Sequence, residues 1–207
     1  MSYIGKAPAN SALTADDITD GIIGADKLAT NSVTTVKVSN ANITSGKLAS
    51  GVIPTNTPAF RANLSGAQSI SADTATKVAF ATEAFDSDGK YDTSNYRFTP
   101  TIAGKYLIYV RIGYQEHNTG AGSLTDQAGL YSRIYVNGSA VADVGNHSAV
   151  SSLQGVISAV STAIVTLDNN DYVEAYTLQQ GNTNNQAANL IANAAYNEFS
   201  GFKLIGV

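Results

Sequence analysis

The spacing of apolar positions changes character near residue 58. Before it, an apolar residue returns at every fifth position: Leu13, Ile18, Ile23, Leu28, Val33, Val38, Ile43, Leu48 and Ile53. No standard element asks for that period. Five residues along a strand is an odd count, so successive apolar residues fall on opposite faces. Five along a helix advance the side chain by about 500°, which scatters them around the cylinder. Read in tens, the blocks are LTADDITDGI, IGADKLATNS, VTTVKVSNAN and ITSGKLASGV, with Lys27, Lys37 and Lys47 at one shared position. A decapeptide repeat is therefore expected over residues 13–58, ending in VIPTNTPAF, where Pro54 and Pro58 suit a linker.

From residue 59 to 207 the pattern turns to strands. GKYLIYVRIGYQ alternates, placing Tyr106, Ile108, Val110, Ile112 and Tyr114 on one face. In LYSRIYVNGSAVADV, Asn137-Gly138 separates two β runs and predicts a hairpin. QGVISAVSTAIVTL is a continuous run of apolar and small residues, expected to be a strand buried on both sides. LDNNDYVEAYTL places Asn169-Asn170 at a turn before another alternating strand, and NQAANLIANAAYN (185–197) is where a helical turn is expected to intrude. The fold class is all-β, a sandwich or jelly roll.

One apolar residue in five is too little to offset the entropy of ordering the repeat segment alone. Disorder, a single-chain pentapeptide-type β-helix, and several identical chains wound together are the three possibilities. The β-helix needs about twenty residues per coil, so only two coils would form. Winding of several chains supplies the missing core and is the expectation, with the nine periodic residues as a shared shaft core.

Composition narrows the function. Charged residues make up 14% of the 207, the net charge is −4, and no basic run offers a phosphate-binding surface. There is no cysteine, hence no disulfide or thiolate metal site. The opening MSYIGKAPAN has no apolar signal core, and no run approaches a membrane span. Secretion is therefore not the expected route outside a cell; release of virus particles by lysis is one that fits.

Several segments resemble known families. The repeats are similar to the ITTAKLADGAV-type repeats of bacteriophage fibre proteins, and SYIGKAP in the leader 1–12 is similar to their virion-attaching starts. YDTSNYRFTPTIAGKYLIYV resembles the core signature of C1q-type domains, matched by Phe98, Gly104 and Tyr106. LDNNDYVEAY is similar to that family's L…GDxV strand, with Asn170 where Gly is usual. EFSGFKLIGV resembles its terminal FSGFLI, matched by Phe199, Ser200, Gly201 and Phe202. The resemblance implies a C1q/TNF-like jelly-roll head that assembles as a homotrimer on a fibrous stalk.

No catalytic, cofactor or metal site is expected. His117 and His147 are expected in polar loops, without partners at ligand spacing. DSDG (86–89) fails the calcium-loop spacing, since Gly89 is fourth and Arg97 twelfth. Recognition loops are more plausible: QEHNTGAGSLTDQAG and LQQGNTNNQAAN carry adaptable hydrogen-bonding groups, with Gln115, His117, Asn118, Gln180, Asn182, Asn184 and Asn185 as candidate receptor contacts. Tyr114, Tyr131, Tyr135 and Tyr176 add stacking faces if exposed. The function expected is a non-enzymatic phage virion protein anchored to a tail or capsid protein through residues 1–12. Its trimeric head adheres to a host glycan or protein, or else decorates the phage head; nucleic acid and membrane insertion are not expected.

Overall fold

The computed structural model describes residues 14, 16, 18–40, 42–49, 52, 56–115, 128–148, 156–180 and 188–206, without the side chains of Ser45, Gln115, Ala128, His147 and Ser148. The chain divides into two units, Met1–Ile53 and Pro54–Val207.

In the first unit a turn closes every five residues. The N–H groups of Ile22, Lys27, Ser32, Lys37, Asn42, Lys47 and Val52 each donate to the carbonyl three residues before, at 2.9–3.2 Å. Each turn takes four residues, and one residue joins it to the next. Ile23, Leu28, Val33, Val38, Ile43 and Leu48 are those joining residues. The five-residue period is thus a turn plus one extended connector carrying the apolar side chain. Leu28 (φ −102°, ψ 114°) and Val38 (φ −108°, ψ 103°) show the extended backbone.

The doubling to ten arises because two kinds of turn alternate. Ala25–Lys27, Thr35–Lys37 and Ser45–Lys47 are short 3-10 turns ending on the recurring lysine. In the turns 19–22 and 29–32 the third residue is left-handed, Gly21 (φ 80°) and Asn31 (φ 63°). The connectors stay largely uncovered: Ile18, Ile23, Leu28, Val33, Ile43 and Leu48 are all exposed and Val38 is half-buried. Leu13 and Ile53 lie outside the described residues.

The second unit is all β. Its strands are β1 (Ala59–Asn63), β2 (Gln68–Ile70), β3 (Thr76–Lys77), β4 (Thr82–Asp86), β5 (Tyr91–Asp92), β6 (Arg97–Phe98) and β7 (Gly104–Gln115). There follow β8 (Ala128–Val136), β9 (Ser139–Ser148), β10 (Ile157–Leu167), β11 (Val173–Gln180), β12 (Ala188–Leu190) and β13 (Glu198–Lys203). A seven-stranded sheet runs β2-β12-β7-β13-β1-β4, with β10 on the other side of β7. A six-stranded sheet runs β5-β6-β11-β8-β9, with β3 also on β11. Along the chain β7 lies in the first sheet, β8 and β9 in the second, β10 in the first, β11 in the second and β13 in the first. This exchange between two facing antiparallel sheets is jelly-roll connectivity.

The core lies between the sheets. Tyr106, Ile108, Val110, Ile112 and Tyr114 of β7 are all buried and point into it, as the alternation predicts. Phe60 stacks on Phe98 at 4.3 Å between ring centroids and meets Phe199 edge-on at 4.8 Å. Gly201 lets β13 close on β7, because a Cβ there would come within 2.7 Å of Ile108 Cδ1 and 3.1 Å of the Leu107 carbonyl. Asn137 (φ 51°) and Gly138 (φ 78°) turn β8 into β9 as a primed two-residue hairpin.

One sequence expectation is met in part and another is corrected. Over 185–197, residues 188–190 form the strand β12, and one helical turn follows it: the N–H groups of Tyr196 and Asn197 both donate to the Asn193 carbonyl, and the buried Asn197 side chain bonds Gly113 and Ile191. Small residues and Asn weaken the strand signal, and tertiary pairing with β2 and β7 decides the conformation. His147 lies within β9 opposite Gly129, not in a loop.

Candidate assembly surface

The run ISAVSTAIVTL reads as buried on both sides, but in the chain itself β10 is covered on one. Ala159, Ser161 and Leu167 face the core, while Val160 and Ile164 stand 40% and 63% exposed on the outer face. β10 is also an edge, since β7 is its one strand partner among the described residues. An apolar strand with an open outer face is the feature that sets this side of the sandwich apart.

Register continues the exposed face across the sheet. One cross-strand row is Ala59, Phe202, Leu107 and Ile164; the next is Phe85, Arg61, Ser200, Tyr109 and Thr162. Arg111 pairs with both Glu198 and Val160 to begin a third. Phe85 is 51% exposed, and Leu107, Tyr109 and Phe202 are half-buried. Five strands at ~4.8 Å spacing make this patch about 20 Å wide. Between β1, β4 and β13 it dips into a shallow depression of about 360 Å³ lined by Arg61, Phe85, Glu198 and Phe202. Along the adjoining β9–β10 side, Val141, Val144 and Val156 are exposed as well.

At the centre sits one charged cluster. Glu198 Oε2 lies 3.2 Å from Arg61 Nη2 and 3.7 Å from Arg111 Nη2. Glu198 Oε1 accepts the Ser200 hydroxyl at 3.0 Å. Neither Nε of the two arginines has a partner.

The outer face of the other sheet carries one-to-one ion pairs instead, although Arg133 Nε lacks a partner there too. Lys77 pairs with Glu174, and Arg133 with Asp143 at 2.7 Å. Tyr135 stacks on Tyr176 at 4.2 Å, Arg133 lies over Tyr131, and Arg97 over Tyr172. Burial raises the Tyr176 hydroxyl pKa, with Glu174 adding to the shift.

The candidate residues from sequence fall in different places. Phe98, Tyr106 and Phe199 are fully buried, and Gly201 is buried beside them. Gly104 opens β7 and is half-buried, and Phe202 points outward onto the exposed patch rather than into the core. Strand alternation explains the difference, since Phe199 and Gly201 occupy the inward positions. Tyr114 is buried, not a stacking face: its hydroxyl bonds Thr177, and burial pushes its pKa up to about 12. Gln115 ends β7 opposite Asn189, and Gln180 is exposed at the end of β11. His117, Asn118, Asn182, Asn184 and Asn185 lie outside the described residues.

The DSDG stretch is a turn in which Asp86 accepts the N–H groups of Asp88 and Tyr91. Among the described residues no group of three or more His, Asp or Glu side chains is placed to hold a metal ion. The arginine–glutamate cluster was not singled out from sequence. Its members come from three separate strands, and no local motif marks them.

No protein-family model matches the chain, and no curated protein matches its sequence. Solved structures do resemble it. Murine APRIL is 12% identical, with a TM-score of 0.49, and the match covers 70% of this chain and 98% of that one. Eiger TNF from S. frugiperda is 14% identical, with a TM-score of 0.47, over 72% of this chain and 93% of that one. The globular domain of zebrafish complement 1qA protein is 14% identical, with a TM-score of 0.45, over 71% and 97%.

Proposed function

We propose that the chain is a non-enzymatic structural protein of a phage particle, a homotrimer with a short repeat shaft and a jelly-roll head. The observation that carries the assembly is the outer face of β10 and its neighbours. Val160, Ile164 and Phe85 are exposed in one chain although the sequence of β10 is as apolar as a buried strand. Exposed apolar patches of this kind mark interaction sites. Two such surfaces adjoin, the sheet face and the β9–β10 edge. Edge against face is a heterologous contact, and heterologous contacts that close make rings. The connectors of the repeat unit are exposed in the same way, so winding with partner copies supplies their cover.

The virion role rests on the resemblance of the repeats and leader to fibre proteins, and on a composition low in charge. The trimeric head then presents its polar loops three at a time, which strengthens attachment to a repetitive host surface. Sedimentation or native mass spectrometry tests the first step, and a mass of one chain overturns it. Antibody against residues 59–207 on purified particles tests the second. Label at the tail supports adhesion, label over the capsid supports head decoration, and no label overturns the virion reading.

A further inference from the structure

We propose that the Arg61–Glu198–Arg111 cluster is an anion-binding site closed by a neighbouring copy, taking a small oxyanion such as phosphate or sulfate. The inference rests on the assembly proposed above.

Two guanidiniums face one carboxylate, so the cluster carries one net positive charge per chain. Glu198 is the one carboxylate within ion-pair distance of either arginine among the described residues. Its Oε1 is partly engaged by Ser200. Each guanidinium carries five N–H donors in a planar fork suited to oxyanions. The side chains of Arg61 and Arg111 are 40% and 30% exposed in the single chain, so their outer N–H groups remain reachable. Burying that face against another chain removes water from a net charge, which is costly unless an opposite charge arrives with it.

The neighbour's apolar edge does not bring one. β10 carries no charged residue from Ile157 to Leu167, and the one carboxylate of β9, Asp143, is held by Arg133 at 2.7 Å. Among the described residues that edge offers no free carboxylate, and an anion from solution supplies the missing charge. An oxyanion matches the fork geometry of two arginines better than a spherical halide does.

The test uses the full-length protein. Trimer content is read by native mass spectrometry, and the rate of subunit exchange is compared in millimolar phosphate and in chloride of equal ionic strength. Phosphate is expected to slow exchange about tenfold, the scale of a charge-assisted bond kept or lost at an interface. Phosphorus NMR on the trimer should show bound phosphate directly. Arg111→Met and Arg61→Met, each checked for folding by circular dichroism, should stay assembled yet lose both signals. Glu198→Gln should fall apart in chloride and reassemble in phosphate. A general salting effect would persist in the arginine variants, so an equal response there overturns the site. So does a wild-type trimer indifferent to phosphate. A monomer in every buffer instead overturns the assembly reading itself.

Discussion

Replacing Ile164 by Ala is the sharpest test of the exposed face. Ile164 is 63% exposed in the single chain and sits on the outer side of β10, opposite Leu107. Fully burying an isoleucine is worth about 1.5–3 kcal/mol, so covering the remaining two-thirds contributes roughly 1–2 kcal/mol. Truncation to Ala removes most of that, about 1 kcal/mol per copy. Three copies in a ring lose roughly 3–4 kcal/mol, a 10²–10³-fold weakening of the trimer. The chain itself should be little affected, because the side chain makes few contacts within it. Sedimentation over a dilution series reads the assembly, and circular dichroism reads the fold. Ile102→Ala is the control: Ile102 is 45% exposed but lies in the loop before β7, off the sheet face. An I164A trimer that dissociates no more readily than wild type, or no more than I102A, refutes the argument.

Alkaline pH should destabilise the head through its buried tyrosines. The Tyr114 pKa is raised by burial from 10.0 to about 12 in the folded chain, so its contribution is full below pH ~10 and is lost as pH rises through about 12. Tyr114→Phe should lower stability at pH 7 by about 1 kcal/mol and flatten the loss above pH ~10, measured by urea unfolding at several pH values. An unchanged alkaline slope would count against burial of that hydroxyl. Gly201→Ala should cost about 1–3 kcal/mol, because the new Cβ meets Ile108 Cδ1 at 2.7 Å, Phe60 Cε1 at 3.0 Å and the Leu107 carbonyl at 3.1 Å. A melting temperature within a degree or so of wild type would mean that β13 shifts freely to make room.

The strands of the head were legible where one face is buried within the chain. The alternation Tyr106-Ile108-Val110-Ile112-Tyr114 survives because water covers the other side of β7 only in part, and polar residues such as Lys105 and Arg111 can stand there. In β10 the alternation is hidden. Val160 and Ile164 are apolar on the face that the chain leaves open, so the sequence reads as doubly buried. Periodicity reports total burial, and a single chain shows only its own share. The five-residue rhythm was visible, but its cause was not. A turn closed by a hydrogen bond over three residues leaves no apolar signature, and only the connector does. Gly21 and Asn31, whose left-handed backbones make alternate turns differ, give a faint trace of the reason for the ten.

The two units pose the same problem at different scales, and the head is the better placed to solve it. The described hydrogen bonds of the repeat unit are local, and its connectors are exposed or half-buried, so one chain gives it no cooperative core. In the proposed trimer, three separate chains must also find register among repeats that look alike every ten residues. A head that trimerises first brings the three repeat segments to a high effective concentration and starts them in step. It follows that residues 13–58 alone, as a peptide, should melt without a cooperative transition and sediment as a monomer at micromolar concentration. In the full-length chain the same segment should resist proteolysis, and that protection should fall away in I164A as the trimer dissociates. A peptide that trimerises unaided would show that the shaft carries its own register. Protection that persists when the head comes apart would show that the turns fold on one chain, with no need of partners at all.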